Sequence, residues 1–202
     1  QAWLCASRAA KTLRNQPPVG VRWLGRSAVP IFLSEATGTP FTGGLLSVFI
    51  CVPRKLWHCL SPEELEAALA HELGHLEQRH LWLCLLTGVL ADLFWFAPGM
   101  ASARRQLLSA VELSADRAAV VRGHSPAALA SALLRVAEQA VGSSLPFAKA
   151  TCAAARGSIS LRLRVLLGEQ AAPRWVVRYR LGRVLVALSL LATALSTVVL
   201  GY

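Results

Sequence analysis

Residues 61–79, SPEELEAALAHELGHLEQR, constrain the fold of this chain more than any other stretch. Ser61 is an N-cap, Pro62 suits the first helical position, and Glu64 completes a capping box. Glu63, Glu64 and Glu66 favour the positive end of the helix dipole. Leu65, Leu69 and Leu76 recur at helical spacing and form an apolar stripe. The pattern predicts a helix from Pro62 to about Arg79 that must pack against other elements. That helix carries His71, Glu72 and His75, the pattern H-E-x-x-H. Residues four apart share a helix face, so the two imidazoles can reach one zinc ion. Glu72 projects about 100° from His71, near enough to serve as general base toward a water at the metal. Gly74 costs the helix about 1 kcal/mol relative to alanine. Close packing of another segment, such as the helix that carries Glu112, would account for it.

A catalytic zinc takes three protein ligands and leaves one position open. His80 lies five residues past His75, off the shared face, and reads as a histidine beside an apolar run. His124 follows a glycine and reads as a helix-boundary residue, with a role at a developing oxyanion as the alternative. The segment ELSAD at 112–116 is a better source. After Glu77 the chain has only five acidic residues, and Glu112 and Asp116 are two of them. Four apart on a predicted helix, they allow Glu112 to bind the metal while Asp116 accepts a hydrogen bond from a ligand histidine. The alternative is a solvated acidic face paired with Arg104, Arg105 or Arg117.

Around this core the pattern predicts a helix over 2–14, strands near Val19–Leu24 and Val29–Ser34, and a continuous buried strand over Gly43–Pro53. Gly43 and Gly44 suit either an ordinary turn or close approach of a substrate backbone. On the second reading Gly44, Leu45, Leu46 and Ser47 form an edge that pairs with substrate. The run Leu81–Ala97 is almost wholly apolar, short of a full span and interrupted by Asp92. It reads as a partial insertion, a tight hairpin or a buried helix. Helices are expected at about Ser102–Arg122 and Ser125–Val141, and a short basic amphipathic one over 161–168. Val184–Gly201 holds no charged residue and predicts a transmembrane helix. Arg174, Arg178, Arg180 and Arg183 precede it and put the domain on the cytoplasmic side of the cell membrane. Three regions are therefore expected: an N-terminal helical segment 1–16 continuing from missing upstream spans, a domain 17–170 with an apolar segment 81–97, and a juxtamembrane stretch with its span, 171–202.

Composition narrows the class. The 202 residues are 54% hydrophobic and carry a net charge of +10. That charge suits nucleic acid or an anionic membrane. No nucleic-acid motif is present and the arginines cluster beside the apolar C-terminal run, so membrane lipid is the expected partner and nucleic acid is not. The five cysteines, Cys5, Cys51, Cys59, Cys84 and Cys152, form no C-x-x-C pair. Neither a zinc ribbon nor a disulfide framework is indicated, and small buried cysteines in a reducing compartment are expected.

H-E-x-x-H followed by a distant E-x-x-x-D resembles the gluzincin metallopeptidases. The stretch from PFTGGLLSVFICVP through AHELGHLEQRH, then WFAP and VELSADRAAV, resembles the zinc peptidase domain of the bacterial β-lactam-sensing antirepressor family over about residues 17–168. The next likeness is to heat-shock and CAAX-processing membrane peptidases, of which the heat-shock type would place two full spans between the motifs. The resemblance implies an α+β, mostly helical zincin-like domain with a small N-terminal β-sheet, joined here to the C-terminal transmembrane helix. It implies one Zn2+ per chain on His71, His75 and Glu112, with Glu72 as catalytic base and Asp116 holding a ligand histidine. The expected activity is zinc-dependent hydrolysis of peptide bonds in a protein or peptide substrate, with regulated cleavage of a repressor or of the chain itself as its setting. The alternatives are an inactive zinc-bound membrane regulator or scaffold and a quality-control peptidase of the heat-shock type. The chain ends just past its last apolar run, so a penicillin-binding sensor domain is not expected. Substrate, activating signal and oligomeric state are not legible.

Overall fold

In the computed structural model, described over residues 16–96, 99–142 and 159–171, the strands come first and the helices follow. The strands are β1 (Gly20–Leu24), β2 (Ser27–Ser34), β3 (Phe41–Gly43) and β4 (Phe49–Pro53). The helices are α1 (Arg54–Cys59), α2 (Pro62–Glu77), α3 (His80–Leu93), α4 (Met100–Val121) and α5 (Pro126–Gly142). A further helix, α6, covers residues 159–166.

The sheet runs in the order β1-β2-β4-β3. β1 is antiparallel to β2, β4 is parallel to β2, and β3 is antiparallel to β4. Alternation in β2 buries Val29, Ile31 and Leu33 on one face. These pack with Ile50 and Val52 of β4 and with Leu69, Leu73 and Leu76 of α2. Each such side chain contributes roughly 1.5–3 kcal/mol when fully buried. β4 is buried at every position because its other face is covered too. There Phe49 and Cys51 meet Phe32 and Phe41, and the Phe49 ring stands edge-on to both phenylalanines.

The continuous strand expected over 43–53 is instead two strands and a turn. Gly44 has φ of +80°, a left-handed conformation that glycine adopts without steric cost. A Cβ there would lie 2.0 Å from the Ser47 carbonyl oxygen. Residues 44–48 are therefore the loop of the β3–β4 hairpin, and Leu46 at its tip is 93% exposed. The edge expected over Gly44, Leu45, Leu46 and Ser47 does not exist as a strand.

Helix α2 starts as its capping residues dictate. The Ser61 hydroxyl accepts from the Glu64 amide at 3.2 Å, and the Glu64 carboxylate accepts from the Ser61 amide at 2.9 Å. Glu64 also accepts from the Ser131 hydroxyl and, at 3.1 Å, from Arg135 Nε, which ties α2 to α5. Burial opposes ionisation of Glu64, but the bonds from Ser131, the Ser61 amide and Arg135 outweigh it and hold its carboxyl below the usual range. A lowered folded pKa gives stability that is present above the unfolded pKa of about 4.3 and lost as pH falls through the folded value. Glu64→Ala should cost about 2 kcal/mol at pH 7 by urea unfolding. The gap from wild type should shrink as pH is lowered below about 4. A gap that stays constant with pH would refute the electrostatic part.

Arg79 has φ of +55° and separates α2 from α3, where one helix to about Arg79 and a following apolar run were expected. α3 has 14 residues, about 21 Å at 1.5 Å per residue, against about 30 Å for a bilayer core. His80 is its buried residue, while Val89 and Leu93 are more than half exposed, so the buried-helix reading of 81–97 fails. No helix among the described residues is long and apolar enough to cross a membrane. The expected fold is corrected accordingly, to a mostly helical domain with a four-stranded sheet and without a transmembrane helix among those residues. The segments 184–201 and 2–14 lie outside the described residues.

Helix α4 crosses α2 at Gly74. A Cβ on Gly74 would sit 3.1 Å from Ala118 Cβ and 3.2 Å from both Cα and the carbonyl oxygen of Ala115. The Ala115 atoms are backbone and can yield only if α4 moves. Gly74→Ala gains about 1 kcal/mol of helix propensity, against roughly 1–3 kcal/mol for overpacking. The expected outcome is a loss of up to about 2 kcal/mol and a lower melting temperature. A rise in melting temperature would show that α4 gives way freely.

Candidate metal centre and cavity

The α2–α4 contact brings two pairs of residues together, each spaced four apart on its helix. His71 Nδ1 lies 2.8 Å from Asp116 Oδ1. His71 Nε2 and His75 Nε2 face each other at 3.1 Å. Glu112 Oε2 is 3.6 Å from His71 Nε2, and Glu112 Oε1 is 3.7 Å from His75 Nε2. The donor atoms of His71, His75 and Glu112 all lie within 4.8 Å of one another. Two nitrogens about 2.05 Å from one tetrahedral ion would stand about 3.3 Å apart, so this donor set fits a small metal ion with little adjustment. Asp116 Oδ1 stands at ion-pair distance from His71 Nδ1, and the other ring nitrogen, Nε2, is the one that faces His75 Nε2.

A third helix completes the cluster. Arg162 of α6 is buried and donates through Nε and Nη2 to the two oxygens of Asp116, both at 2.7 Å. Its Nη1 donates to Glu112 Oε2 at 2.8 Å. Burial resists ionisation of Glu112 and Asp116, but the guanidinium outweighs it and holds both carboxyls below their usual range. Burial also opposes charge on His71, yet Asp116 and Glu112 outweigh it and raise the imidazole to about 9. Burial and the neighbouring His71 drive His75 down to about 3. The cluster therefore draws one positive charge to His71, and a metal ion bound there must displace that proton. Burial raises Glu72 to about 7, with His71 opposing.

These groups open onto a cavity of about 460 Å³. His71, Glu72, His75 and Glu112 lie on one side. Thr39–Thr42, at the start of β3, lies on another, and Leu129, Leu133 and Val136 of α5 form an apolar wall. Gly44, Leu45, Leu46 and Ser47 do not line it. His124, in the turn after α4, does not line it either.

The family model described as BlaR1 peptidase M56 matches residues 21–166, well over half of the chain. The chain belongs to this family. The BlaR1-type match makes it a metallopeptidase-family protein with peptide as its substrate class. The matched span holds every residue of the cluster, from His71 to Arg162. Among curated proteins, none matches the chain.

Two members of the cluster escaped sequence reasoning. Arg162 shares a helix face with Leu166, four residues on, which packs in the core. A charge on a buried apolar face requires an acidic partner, and that signal was present. His80 is 1% exposed and its Nδ1 lies 3.0 Å from His75 Nδ1. Helical spacing assigned it elsewhere because the left-handed Arg79 between them was not foreseen.

Proposed function

We propose that the chain is a zinc-dependent endopeptidase that cleaves extended peptide segments bound along β3. The observation that carries this reading is the gathering of three donor atoms within 4.8 Å in a cavity that also holds Glu72. Two imidazoles and one carboxylate are a catalytic-zinc donor set. Zinc on His71, His75 and Glu112 would supply Lewis acidity toward the peptide carbonyl and toward water. Glu72 takes the proton of the attacking water and delivers it to the leaving amine. Asp116 keeps His71 in the tautomer whose Nε2 is free to ligate, and Arg162 holds one Glu112 oxygen so that the carboxylate cannot swing away.

Substrate binding falls to β3 rather than to Gly44–Ser47. Among the described strands β3 pairs only with β4, so its other edge can add an antiparallel strand. The wall of Leu129, Leu133 and Val136 suits an apolar side chain next to the cleaved bond. Cleavage of unfolded casein by the purified chain should stop on chelation and return with about one equivalent of Zn2+ per chain. Cleavage that persists after chelation would refute the reading.

A further inference from the structure

We propose that His80 is a positioning residue for the second ligand histidine. It accepts a hydrogen bond from His75 Nδ1 and so fixes Nε2 as the nitrogen that His75 offers to the metal. The inference rests on the metal-centre reading above and concerns a residue outside the ligand set.

The other two donors each have a partner that sets their orientation. His71 has Asp116 at 2.8 Å, and Glu112 has Arg162 at 2.8 Å. For His75 that position is taken by His80, with Nδ1 to Nδ1 at 3.0 Å and the rings edge-on, 5.0 Å between centroids and 73° between planes. A neutral imidazole carries one proton. If His75 Nε2 faces the metal, its proton is on Nδ1, and His80 Nδ1 must present a lone pair. His80 therefore carries its own proton on Nε2.

The backbone explains how a residue five positions on reaches back. α2 ends at Glu77, Arg79 takes the left-handed conformation, and α3 begins at His80. The imidazole is thereby held over His75 at 1% exposure, where few alternative rotamers remain. Charge also favours a neutral partner here. Glu72, Glu112 and Asp116 bring three negative charges, which Arg162 and a divalent metal together cancel. A carboxylate in place of His80 would leave the buried cluster with an excess negative charge.

The test compares Zn2+ affinity, by competition with a chromophoric chelator, for the full chain and for His80→Gln and His80→Leu. Circular dichroism of the metal-free proteins monitors folding. Glutamine keeps an acceptor of similar reach and should stay within about threefold of wild type. Leucine keeps bulk without an acceptor and should lose about 10- to 100-fold, the usual cost of removing a ligand's orienting partner. Leucine binding as tightly as wild type, or glutamine falling as far as leucine, would overturn the proposal. Should the leucine variant not fold, 15N NMR of the zinc-loaded wild type decides. A coupling across the hydrogen bond between His75 Nδ1 and His80 Nδ1 is expected, and its absence overturns the proposal. A wild type that binds no zinc would instead refute the metal centre itself, so the two failures are distinguishable.

Discussion

Glu72→Gln should retain one zinc per chain and lose about 10³-fold in kcat/KM on a peptide substrate. That loss corresponds to about 4 kcal/mol of transition-state stabilisation. Glutamine matches the size of the buried glutamate, so neither a cavity nor an unpaired charge complicates the comparison. It also cannot accept a proton, which isolates the role assigned to Glu72. The pH profile gives a second reading of the same group. Burial raises the Glu72 carboxyl to about 7, and a nearby divalent ion pulls it down. The base must be ionised to act, so wild-type kcat/KM should rise with pH through a pKa below that value and reach its plateau above it. A variant within tenfold of wild type, with the same pH limb, would remove Glu72 from the mechanism.

Glu112→Ala should weaken zinc binding by more than about 100-fold, since loss of a mere orienting partner already costs 10- to 100-fold. Two roles of Glu112 are separated by this variant. It faces both histidine Nε2 atoms at 3.6 and 3.7 Å, and it accepts from Arg162 at 2.8 Å. If only the second mattered, the variant would lose stability yet keep its metal. Arg162 would retain both bonds to Asp116, so the folded protein should survive with a loss of about 2–3 kcal/mol. Competition titration together with urea unfolding reads both effects on one sample. Unchanged zinc affinity would mean that another residue supplies the third donor.

How much of this was legible depends on whether each signal was local. The capping box at Ser61 and Glu64 and the i, i+4 pairs on α2 and α4 involve neighbours in sequence, and helical geometry alone sets their directions. The close approach at Gly74 was expected from the cost of glycine in a helix, and Ala115 and Ala118 provide it. The hairpin at Gly44 was missed because 43–53 is apolar apart from Ser47. Leu45 and Leu46 look like core residues until the positive φ of Gly44 starts a turn that leaves Leu46 exposed. Arg162 sits 46 residues from Asp116, and no periodicity reports a contact at that distance. Its place on an apolar helix face was the only hint. His80 was misassigned by extending helical spacing across Arg79, whose left-handed backbone has no glycine or proline to announce it. The apolar run after His80 left a partial insertion, a tight hairpin and a buried helix open, because periodicity alone does not say what covers an apolar face; α3 is too short to cross a bilayer and leaves Val89 and Leu93 exposed.

The central claim is that His71, His75 and Glu112 share one zinc ion. Crystals of the full chain grown with Zn2+ and measured on both sides of the zinc absorption edge test it most directly. The account predicts one anomalous peak per chain, within about 2.3 Å of His71 Nε2, His75 Nε2 and a Glu112 carboxylate oxygen. No peak between the two imidazoles, or a peak there with Glu112 turned wholly to Arg162, would contradict it.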